Sequence, residues 1–370
     1  MRFALVSFRL GAADGVSVET EKWRAALAAL GHDTYRVAGA FGAAEAGDVH
    51  VPGLGYAAGG GATGTAAPSR GELESALGAA DVVVVENMFG LPLNVAASAV
   101  LAEVLEDRTV IGHHHDLVSQ RPESTASHDL VVSLFPPALP RMAHVTINDL
   151  SRRELEARGI PARVVPNTFD PEPAPGLLVG ELRAKLGVTG RDATLALVPS
   201  RVIPRKRLSR TVAFCEALAA AGPGPVVLLV TGPVEDGHAA EFGRLCERTG
   251  VDVAHEPGWF GPSGTFSVAD AYGAADVVVF ASDWEGFGNP VMESVAYARP
   301  LVVSAYPVLV ELESLGFAFT HLHDDPAAAV DAYLSGRCGA QVGPNREVLA
   351  AELSPARLVA ALEELVDTLA

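Results

Sequence analysis

Short segments rich in valine, isoleucine and leucine alternate with alanine-rich segments along almost the whole chain. The first half has strand-like segments at residues 3–7, 34–38, 82–85, 109–113 and 144–147, and the second half at 194–198, 226–231, 251–255, 276–280 and 301–304. This alternation is typical of βαβ units, in which helices cover both faces of a parallel sheet. We therefore predict an α/β protein built from doubly wound parallel sheets.

A proline-rich segment interrupts this alternation between Pro166 and Pro175, where four prolines occur within ten residues. Such a segment cannot lie inside a helix or a central strand, because proline lacks a backbone N–H donor. A chain of 370 residues is long enough for two domains of ordinary size. We predict a first domain over residues 1–168, a linker over 169–180, a second domain over 181–354, and a C-terminal helix over 355–370 that packs back on the first domain.

The composition excludes several classes of protein. With 49% hydrophobic and 19% charged residues, the chain has the composition of a globular protein with large cores. Its net charge of −18 disfavours nucleic acid or an anionic membrane as the main partner. No apolar run is long enough to span a bilayer, and the first residues resemble a strand and not a signal peptide, so we expect a cytoplasmic protein without stable membrane association.

Two glutamates eight residues apart, Glu285 and Glu293, bracket a turn that contains Gly286 and Gly288. The turn follows the predicted strand at 276–280 and leads into a helix predicted over 291–298. A helix N-terminus presents free backbone N–H groups and the positive end of the helix dipole, so this turn is a candidate site for an anionic or polar ligand. A pair of solvated glutamates on an ordinary helix is the alternative interpretation.

Four cations lie close together after the predicted strand at 194–198, among them Arg201 and Lys206. Ligands of open α/β sheets bind at the carboxyl ends of the strands, and arginine and lysine both suit a diphosphate. A solvated basic helix start is the alternative. Gly232 follows the next predicted strand in the same way.

Three consecutive histidines and an aspartate, His113 to Asp116, end the predicted strand at 109–113. Alternation along a strand places His113 and His115 on one side and His114 on the other. A metal site would need a third ligand that nothing in the sequence fixes, and no Asp-x-Asp pair occurs in the chain. We therefore predict no metal and interpret His115 as a polar contact for a ligand.

The glycine loop after the first predicted strand contains Gly15 but lacks the G-x-G-x-x-G fingerprint of dinucleotide-binding folds. This departure argues against a nicotinamide-dependent oxidoreductase. Gly15 stays a candidate for bringing backbone N–H groups close to a phosphate.

The segment E-G-F-G-x-x-x-x-E from Glu285 to Glu293, followed by Arg-Pro-Leu-Val-Val from Arg299, resembles the signature of retaining GT-B glycosyltransferases of family 4. The glycine loop, the histidine at a strand end, the proline-rich linker and an R-x4-K pair precede it in the order typical of that family. The resemblance covers nearly the whole chain and implies two Rossmann-like domains facing a cleft. Ala298 stands where the family usually has glycine, which we interpret as a change in packing.

The resemblance also implies a role for each motif. Glu285 would contact the donor hexose and Glu293 the ribose of the nucleotide, while Arg201 and Lys206 would stabilise the diphosphate leaving group. His115 would contact the donor sugar, with His113 as a rival for that place and Asp116 as a secondary candidate. The implied catalytic residues are His115, Glu285, Arg201 and Lys206, and the implied donor-binding residues are Gly15, Arg201, Lys206, Gly232, Glu285, Gly286, Phe287, Gly288, Asn289 and Glu293.

The resemblance implies a retaining hexosyltransferase that needs no cofactor or metal and uses a UDP-, GDP- or ADP-hexose as co-substrate. The N-terminal sequence contains Asp-Gly-Val-Ser from Asp14 and Leu-Gly-His-Asp-Thr from Leu30. It resembles the N-terminal sequence of a subgroup that acts on small soluble acceptors such as glycosylated glycerates. The alternatives are an isomerase of the nucleotide-sugar 2-epimerase kind and a noncatalytic nucleotide-sugar-binding protein. The sequence fixes neither the base, the sugar nor the acceptor, and it leaves a homodimer open.

Overall fold

The computed structural model of the chain describes residues 1–12, 14–56, 66–120, 126–190, 193–222, 224–235, 237–260 and 264–369, without the side chains of residues 126–128. The chain divides into two compact units. Unit 1 comprises Met1–Thr168 together with Pro355–Ala370, and unit 2 comprises Phe169–Ser354. No helix among the described residues has the length and apolar character that a membrane span requires.

Unit 1 contains a seven-stranded sheet in the order β3-β2-β1-β4-β5-β6-β7, with every neighbouring pair parallel. Its strands are β1 (Arg2–Leu10), β2 (Asp33–Phe41), β3 (Val49–His50), β4 (Val82–Glu86), β5 (Thr109–His114), β6 (Met142–Thr146) and β7 (Ala162–Val164). The helices that follow these strands are α1 (Gly15–Ala29), α2 (Arg70–Leu77), α3 (Val95–Val104), α4 (Ala126–Leu134) and α5 (Asp149–Ala157).

Unit 2 contains a second parallel sheet, of six strands, in the order β10-β9-β8-β11-β12-β13. Its strands are β8 (Thr194–Val198), β9 (Val226–Val230), β10 (Asp252–His255), β11 (Val277–Phe280), β12 (Leu301–Val303) and β13 (Thr320–His321). Its helices are α6 (Val179–Lys185), α7 (Leu208–Ala221), α8 (Ala239–Arg248), α9 (Val268–Ala274), α10 (Asn289–Ala296), α11 (Leu309–Ser314), α12 (Ala327–Leu334), α13 (Arg337–Ala340) and α14 (Val342–Glu352).

The last helix, α15 (Pro355–Asp367), belongs to unit 1 and packs against α1. Its buried face carries Leu358, Leu362 and Leu365, which join Phe3 and Trp23 in one apolar cluster. This spacing of three and four residues is that of a single helix face, so the helix buries one stripe and leaves the other in solvent. The helix therefore completes the core on one face of the sheet of unit 1.

The central strands are buried on both faces, because helices cover both sides of each sheet. All five residues of β4 and all five of β9 are buried, which explains why these segments are continuous apolar runs. Strand β9 is apolar throughout, and β4 has one polar residue, at its end. The ten strands expected from the sequence are all present, with ends that differ by up to three residues.

Three short strands escaped the sequence-based prediction: β3, β7 and β13. Each has two or three residues and lies at the edge of its sheet, where only one neighbouring strand is available for pairing. An edge strand is covered less completely than a central one, so it needs no long apolar run. The pattern that reveals the central strands is therefore absent from these three.

The predicted bounds of the helix after Glu285 were wrong by two residues at each end. Helix α10 begins at Asn289, because Pro290 is tolerated in a first turn, and it ends at Ala296. Ala298 adopts a left-handed conformation, with φ of 55°. The preference for glycine at this position is therefore a matter of backbone conformation, and our interpretation of it as a change in packing was wrong.

Candidate active site

In unit 2, the carboxylate of Glu285 lies in a cluster of hydrogen-bond donors. The residue is 7% exposed and follows β11 in the turn that leads to α10. Lys206 Nζ donates to Glu285 Oε1 at 2.6 Å, and Arg205 Nη1 lies 2.9 Å from the same oxygen. The hydroxyl of Ser282 also donates to this oxygen. The structure therefore brings Glu285 and Lys206, two residues predicted from separate motifs, into direct contact.

The topology of the sheet explains this contact. Strands β8 and β11 are parallel neighbours, with Ala196 opposite Val277. The segments that follow parallel strands emerge at the same edge of the sheet, so the 3-10 turn Pro204–Lys206 after β8 meets the turn after β11. Ligands of open α/β sheets bind at this edge.

The electrostatics of the cluster favour an anionic ligand. Burial lowers the pKa of Lys206, and Glu285 opposes that change. Burial raises the pKa of Glu285, but the charges of Lys206 and Arg205 and the hydrogen bonds from Lys206 and Ser282 outweigh it, so that its pKa is lowered. Glu285 is therefore ionised, and the two cations around one carboxylate leave an excess of one positive charge. A phosphate is a ligand that such a cluster would attract.

Gly288 sets the shape of the turn. It is the N-cap of α10 in a left-handed conformation, with φ of 92°. A Cβ atom here would lie 2.2 Å from the hydroxyl oxygen of Tyr306, which itself donates to the carbonyl of Phe287 at 3.0 Å. The Phe287 side chain is buried and stacks on Phe169 with 6.1 Å between ring centroids. The two aromatic contacts fix the backbone around the half-buried Gly286 and Asn289 at the start of the helix.

Glu293 lies on the first turns of α10 and is half-buried. It accepts a hydrogen bond from the hydroxyl of Tyr272 at 2.7 Å. Burial and the neighbouring Glu293 raise the pKa of Tyr272 well above its usual range, so the phenol stays protonated and keeps donating. The structure therefore holds the Glu293 carboxylate against the hydroxyl of Tyr272.

Arg201 and Gly232 meet where β8 and β9 end. A Cβ atom on Gly232 would lie 2.4 Å from the backbone nitrogen of Arg201, so only glycine allows the two segments this close approach. The Arg201 side chain is 51% exposed and its Nη1 lies 2.7 Å from Glu235 Oε2. Arg201 is thus held at the surface beside the cluster, whereas Lys206 is buried within it.

In unit 1, His113 and His115 share one partner that sequence reasoning missed. Glu86 Oε2 lies 2.8 Å from His113 Nδ1 and 3.0 Å from His115 Nε2. His114 lies on the other side of the sheet, where its Nε2 is 3.1 Å from His144 Nδ1. The alternation predicted for the three histidines is confirmed. The available signal for Glu86 is its position as the one polar residue that closes the run of four valines in β4.

Asn87 is a second residue that the sequence did not reveal. Its Oδ1 accepts from the backbone N–H groups of His115 and Asp116, both at 2.9 Å. Asn87 has a positive φ of 61°, a conformation that asparagine adopts more readily than most residues. The end of β5 is therefore fixed from the end of β4, its neighbour in the sheet.

Glu86, His113 and His115 form the one group of three potential metal ligands among the residues that the structure describes, with ligand atoms within 4.8 Å of one another. Both histidine nitrogens lie at hydrogen-bond distance from a single carboxylate oxygen. An ion would have to replace both of these hydrogen bonds. The hydrogen bonds therefore account for the cluster, and our prediction that the chain uses no metal stays a prediction.

Gly15 is the exposed first residue of α1. The preceding Asp14 is the N-cap, and its carboxylate accepts from the backbone N–H of Ser17 at 3.1 Å and lies 3.0 Å from Arg9 Nη2. A carboxylate thus already occupies the start of this helix. A phosphate close to Gly15 would have to displace Asp14, and the role of Gly15 stays a prediction.

Two parallel sheets covered by helices, in the strand orders given above, define the GT-B fold of glycosyltransferases. The structure is similar to that of Anabaena HepE in complex with UDP-glucose, with a TM-score of 0.72 and 17% identity, over 100% of both chains. It is also similar to WaaG, a glycosyltransferase involved in lipopolysaccharide biosynthesis, with a TM-score of 0.66 and 15% identity, over 96% of this chain and 98% of that one.

Residues 181–335 match the family Glycosyl transferases group 1, so unit 2 carries a group 1 glycosyltransferase domain. Mannosylglucosylglycerate synthase of Thermotoga maritima is 27% identical over 88% of this chain and 85% of its own length. The enzyme of the same name from Petrotoga mobilis is 25% identical over 87% and 86%. Both relatives extend the similarity beyond unit 2 to most of the chain.

Proposed function

We propose that this glycosyltransferase is a retaining, metal-independent enzyme that moves a hexose from a nucleotide-diphosphate sugar to a small soluble acceptor. The contact of Lys206 and Arg205 with the buried carboxylate of Glu285 carries this proposal. It supports the proposal because the excess cation lies next to the N-terminus of α10, at the sheet edge where ligands of open α/β folds usually bind.

Different residues of unit 2 would bind different parts of the donor. Lys206 and the more exposed Arg201 would face the diphosphate, and Glu293, held by Tyr272, would accept hydrogen bonds from the ribose hydroxyls. The backbone N–H groups at Gly288 and its neighbours would face the hexose or the phosphate, with Glu285 contacting the hexose. These assignments follow the resemblance of the motifs, and the contacts described above are compatible with them.

In the proposed transfer, the bond between the anomeric carbon and the diphosphate oxygen breaks while a bond to an acceptor hydroxyl oxygen forms on the same face of the sugar. The proton of the acceptor hydroxyl passes to the departing diphosphate. Negative charge grows on the diphosphate as the bond breaks, so Lys206 stabilises the transition state more than the ground state. His115 would contact the sugar, as the resemblance implies.

The names of the two relatives suggest the acceptor. Both are mannosylglucosylglycerate synthases, and each aligns with more than four fifths of this chain. We propose that the acceptor of this enzyme is likewise a glycosylated glycerate, which carries a carboxylate and is small and soluble.

A thermal-shift screen against UDP, GDP, ADP and their hexoses tests the donor. A ligand at 100 times its Kd stabilises a protein by about 2.7 kcal/mol, so one base should raise the melting temperature clearly. Glu293→Ala should weaken donor binding and reduce that shift, whereas Glu181→Ala, which changes an exposed glutamate on α6 of the same unit, should leave it intact. No shift with any of these ligands would refute the proposal.

The donor found in this screen then allows transfer to be tested directly. Incubation with glucosylglycerate and analysis by mass spectrometry should show a product heavier by one hexose. Proton NMR of the product should show the anomeric configuration of the donor, and activity should survive EDTA. An inverted anomer would contradict the retaining mechanism, and loss of activity in EDTA would contradict metal independence.

A further inference from the structure

The carboxylate of Glu86 lies beneath two histidines at the end of the sheet of unit 1. Glu86 is fully buried and His113 is 1% exposed, whereas His115 is 6% exposed. One oxygen of Glu86 contacts both rings, as described above. Among the two histidines, His115 is therefore the one that retains access to a ligand, and Glu86 lies behind it.

The protonation state of Glu86 determines which nitrogen of each ring carries a hydrogen. Burial opposes its ionisation, but the hydrogen bonds from His113 and His115 hold the pKa of Glu86 below its usual range. An ionised carboxylate only accepts hydrogen bonds, so the nitrogen of each ring that faces Glu86 must carry the hydrogen. His113 is then protonated at Nδ1 and His115 at Nε2. Burial also lowers the pKa of His113, which keeps that ring neutral.

The ring of His115 has little freedom to turn. Its backbone N–H is bonded to Asn87, and its ring lies 4.3 Å from that of His113, which in turn stacks on Trp23 at 4.1 Å. No hydrogen bond to His115 Nδ1 is found within the described part of the chain, so this nitrogen has its lone pair available. With Nε2 facing Glu86, the contacts that hold the ring of His115 leave Nδ1 as the nitrogen that can contact a ligand.

We propose that Glu86 is a positioning residue that fixes His115 as the Nε2–H tautomer, so that His115 Nδ1 accepts a hydrogen bond from a hydroxyl of the carbohydrate substrate. The identity of the ligand rests on the proposed function. The tautomer rests on the geometry of unit 1 alone. The other tautomer would turn a lone pair of the ring toward the carboxylate and present an N–H to the substrate.

NMR of protein labelled with 15N in histidine tests the tautomer without any substrate. Long-range 1H–15N spectra distinguish the two neutral tautomers and the charged ring, and His115→Gln assigns the signal. At pH 7.5 we expect His115 to be protonated at Nε2 and His113 at Nδ1. A His115 ring protonated at Nδ1 overturns the proposal, whatever the activity, and this measurement does not depend on any variant of Glu86.

Kinetics of Glu86→Gln test the positioning role. Glutamine keeps the shape and one acceptor oxygen but removes the charge, so the hydrogen bonds from the two rings are no longer charge-assisted. We expect kcat to fall about 10- to 100-fold, because two charge-assisted hydrogen bonds become neutral ones, with the donor KM changed less than about threefold. His144→Gln changes a buried histidine on the other side of the same sheet and should keep wild-type kinetics. Wild-type kcat in Glu86→Gln overturns the proposal.

These measurements distinguish failure of the proposed function from failure of the positioning role of Glu86. A wild-type protein with the expected tautomer that transfers sugar from none of the donors overturns the proposed function, and the hydroxyl contact with it. An active wild-type protein with the other tautomer overturns the role of Glu86 alone.

Discussion

Replacement of Lys206 with methionine would remove one of the two cations around Glu285 and keep a side chain of similar length. The side chains of Lys206 and Glu285 are only 9% and 10% exposed. Removing one partner of a buried ion pair costs roughly 3–5 kcal/mol, because the other charge stays buried. Arg205 would still form an ion pair with Glu285 and Ser282 would still donate to it, so we expect a smaller loss of about 2–3 kcal/mol in the free energy of unfolding.

This loss should depend on pH in a defined direction. The pKa of Glu285 is lowered in the folded unit, mainly by Lys206 acting against burial. A carboxylate with a lowered folded pKa contributes stability above its unfolded pKa, and this contribution disappears as the pH falls through the folded value. The difference between wild type and Lys206→Met should therefore be complete at pH 7 and shrink below about pH 4.3, the ordinary pKa of glutamate.

Thermal melting at pH 7 measures the effect, with urea denaturation as a second probe because two units need not unfold in one transition. For a domain of this size, 2–3 kcal/mol corresponds to a decrease of roughly 4–12 °C in the melting temperature. The double variant Lys206→Met/Glu285→Gln should recover part of the loss, because it removes both charges of the pair. Losses that simply add, or a single variant that melts with the wild type, would refute the reasoning.

Two further predictions concern stability. Gly187 and Gly288 both have a positive φ, but a Cβ atom at Gly187 meets nothing within 4 Å, whereas at Gly288 it meets Tyr306. We expect a loss of about 1 kcal/mol for Gly187→Ala and about 2–4 kcal/mol for Gly288→Ala, measured by thermal melting, and equal losses would contradict the clash. Burial, with the charge of Arg158, lowers the pKa of His144 to about 4, so its contribution to stability should be lost between pH 6.5 and pH 4. His144→Gln should remove up to about 3 kcal/mol of this pH dependence in denaturation curves, and an unchanged slope would be evidence against it.

The central strands of both sheets could be predicted from the sequence, because a strand buried on both faces must be apolar throughout. Strand β8 was predicted with its observed bounds, Thr194–Val198. The edge strands β3, β7 and β13 could not be, since two or three residues with a single neighbour leave no periodic signal. The left-handed backbone of Ala298 could not be predicted from the sequence either. It follows from how the chain leaves α10, and alanine has no preference for that conformation.

The candidate site was predictable where its residues share one motif. Glu285 and Glu293 lie in one turn and helix, and Lys206 could be assigned to the same sheet edge from its place after a strand. Glu86 could not be assigned to His113, because their contact depends on the register of β4 against β5, which pairs residues far apart in the chain. The partners of a buried histidine are thus set by the sheet and lie outside any local pattern.

The position of α15 in unit 1 has a consequence for the synthesis of the protein. Leu358, Leu362 and Leu365 belong to the core of a unit whose other residues end at Thr168. On the ribosome, the sheet of unit 1 emerges long before the helix that covers part of one face, and all of unit 2 is translated in between. The nascent chain must keep part of one apolar face of that sheet uncovered during this interval. A chaperone that binds exposed hydrophobic surface would find its target on unit 1, while unit 2, whose chain is contiguous, can finish folding first.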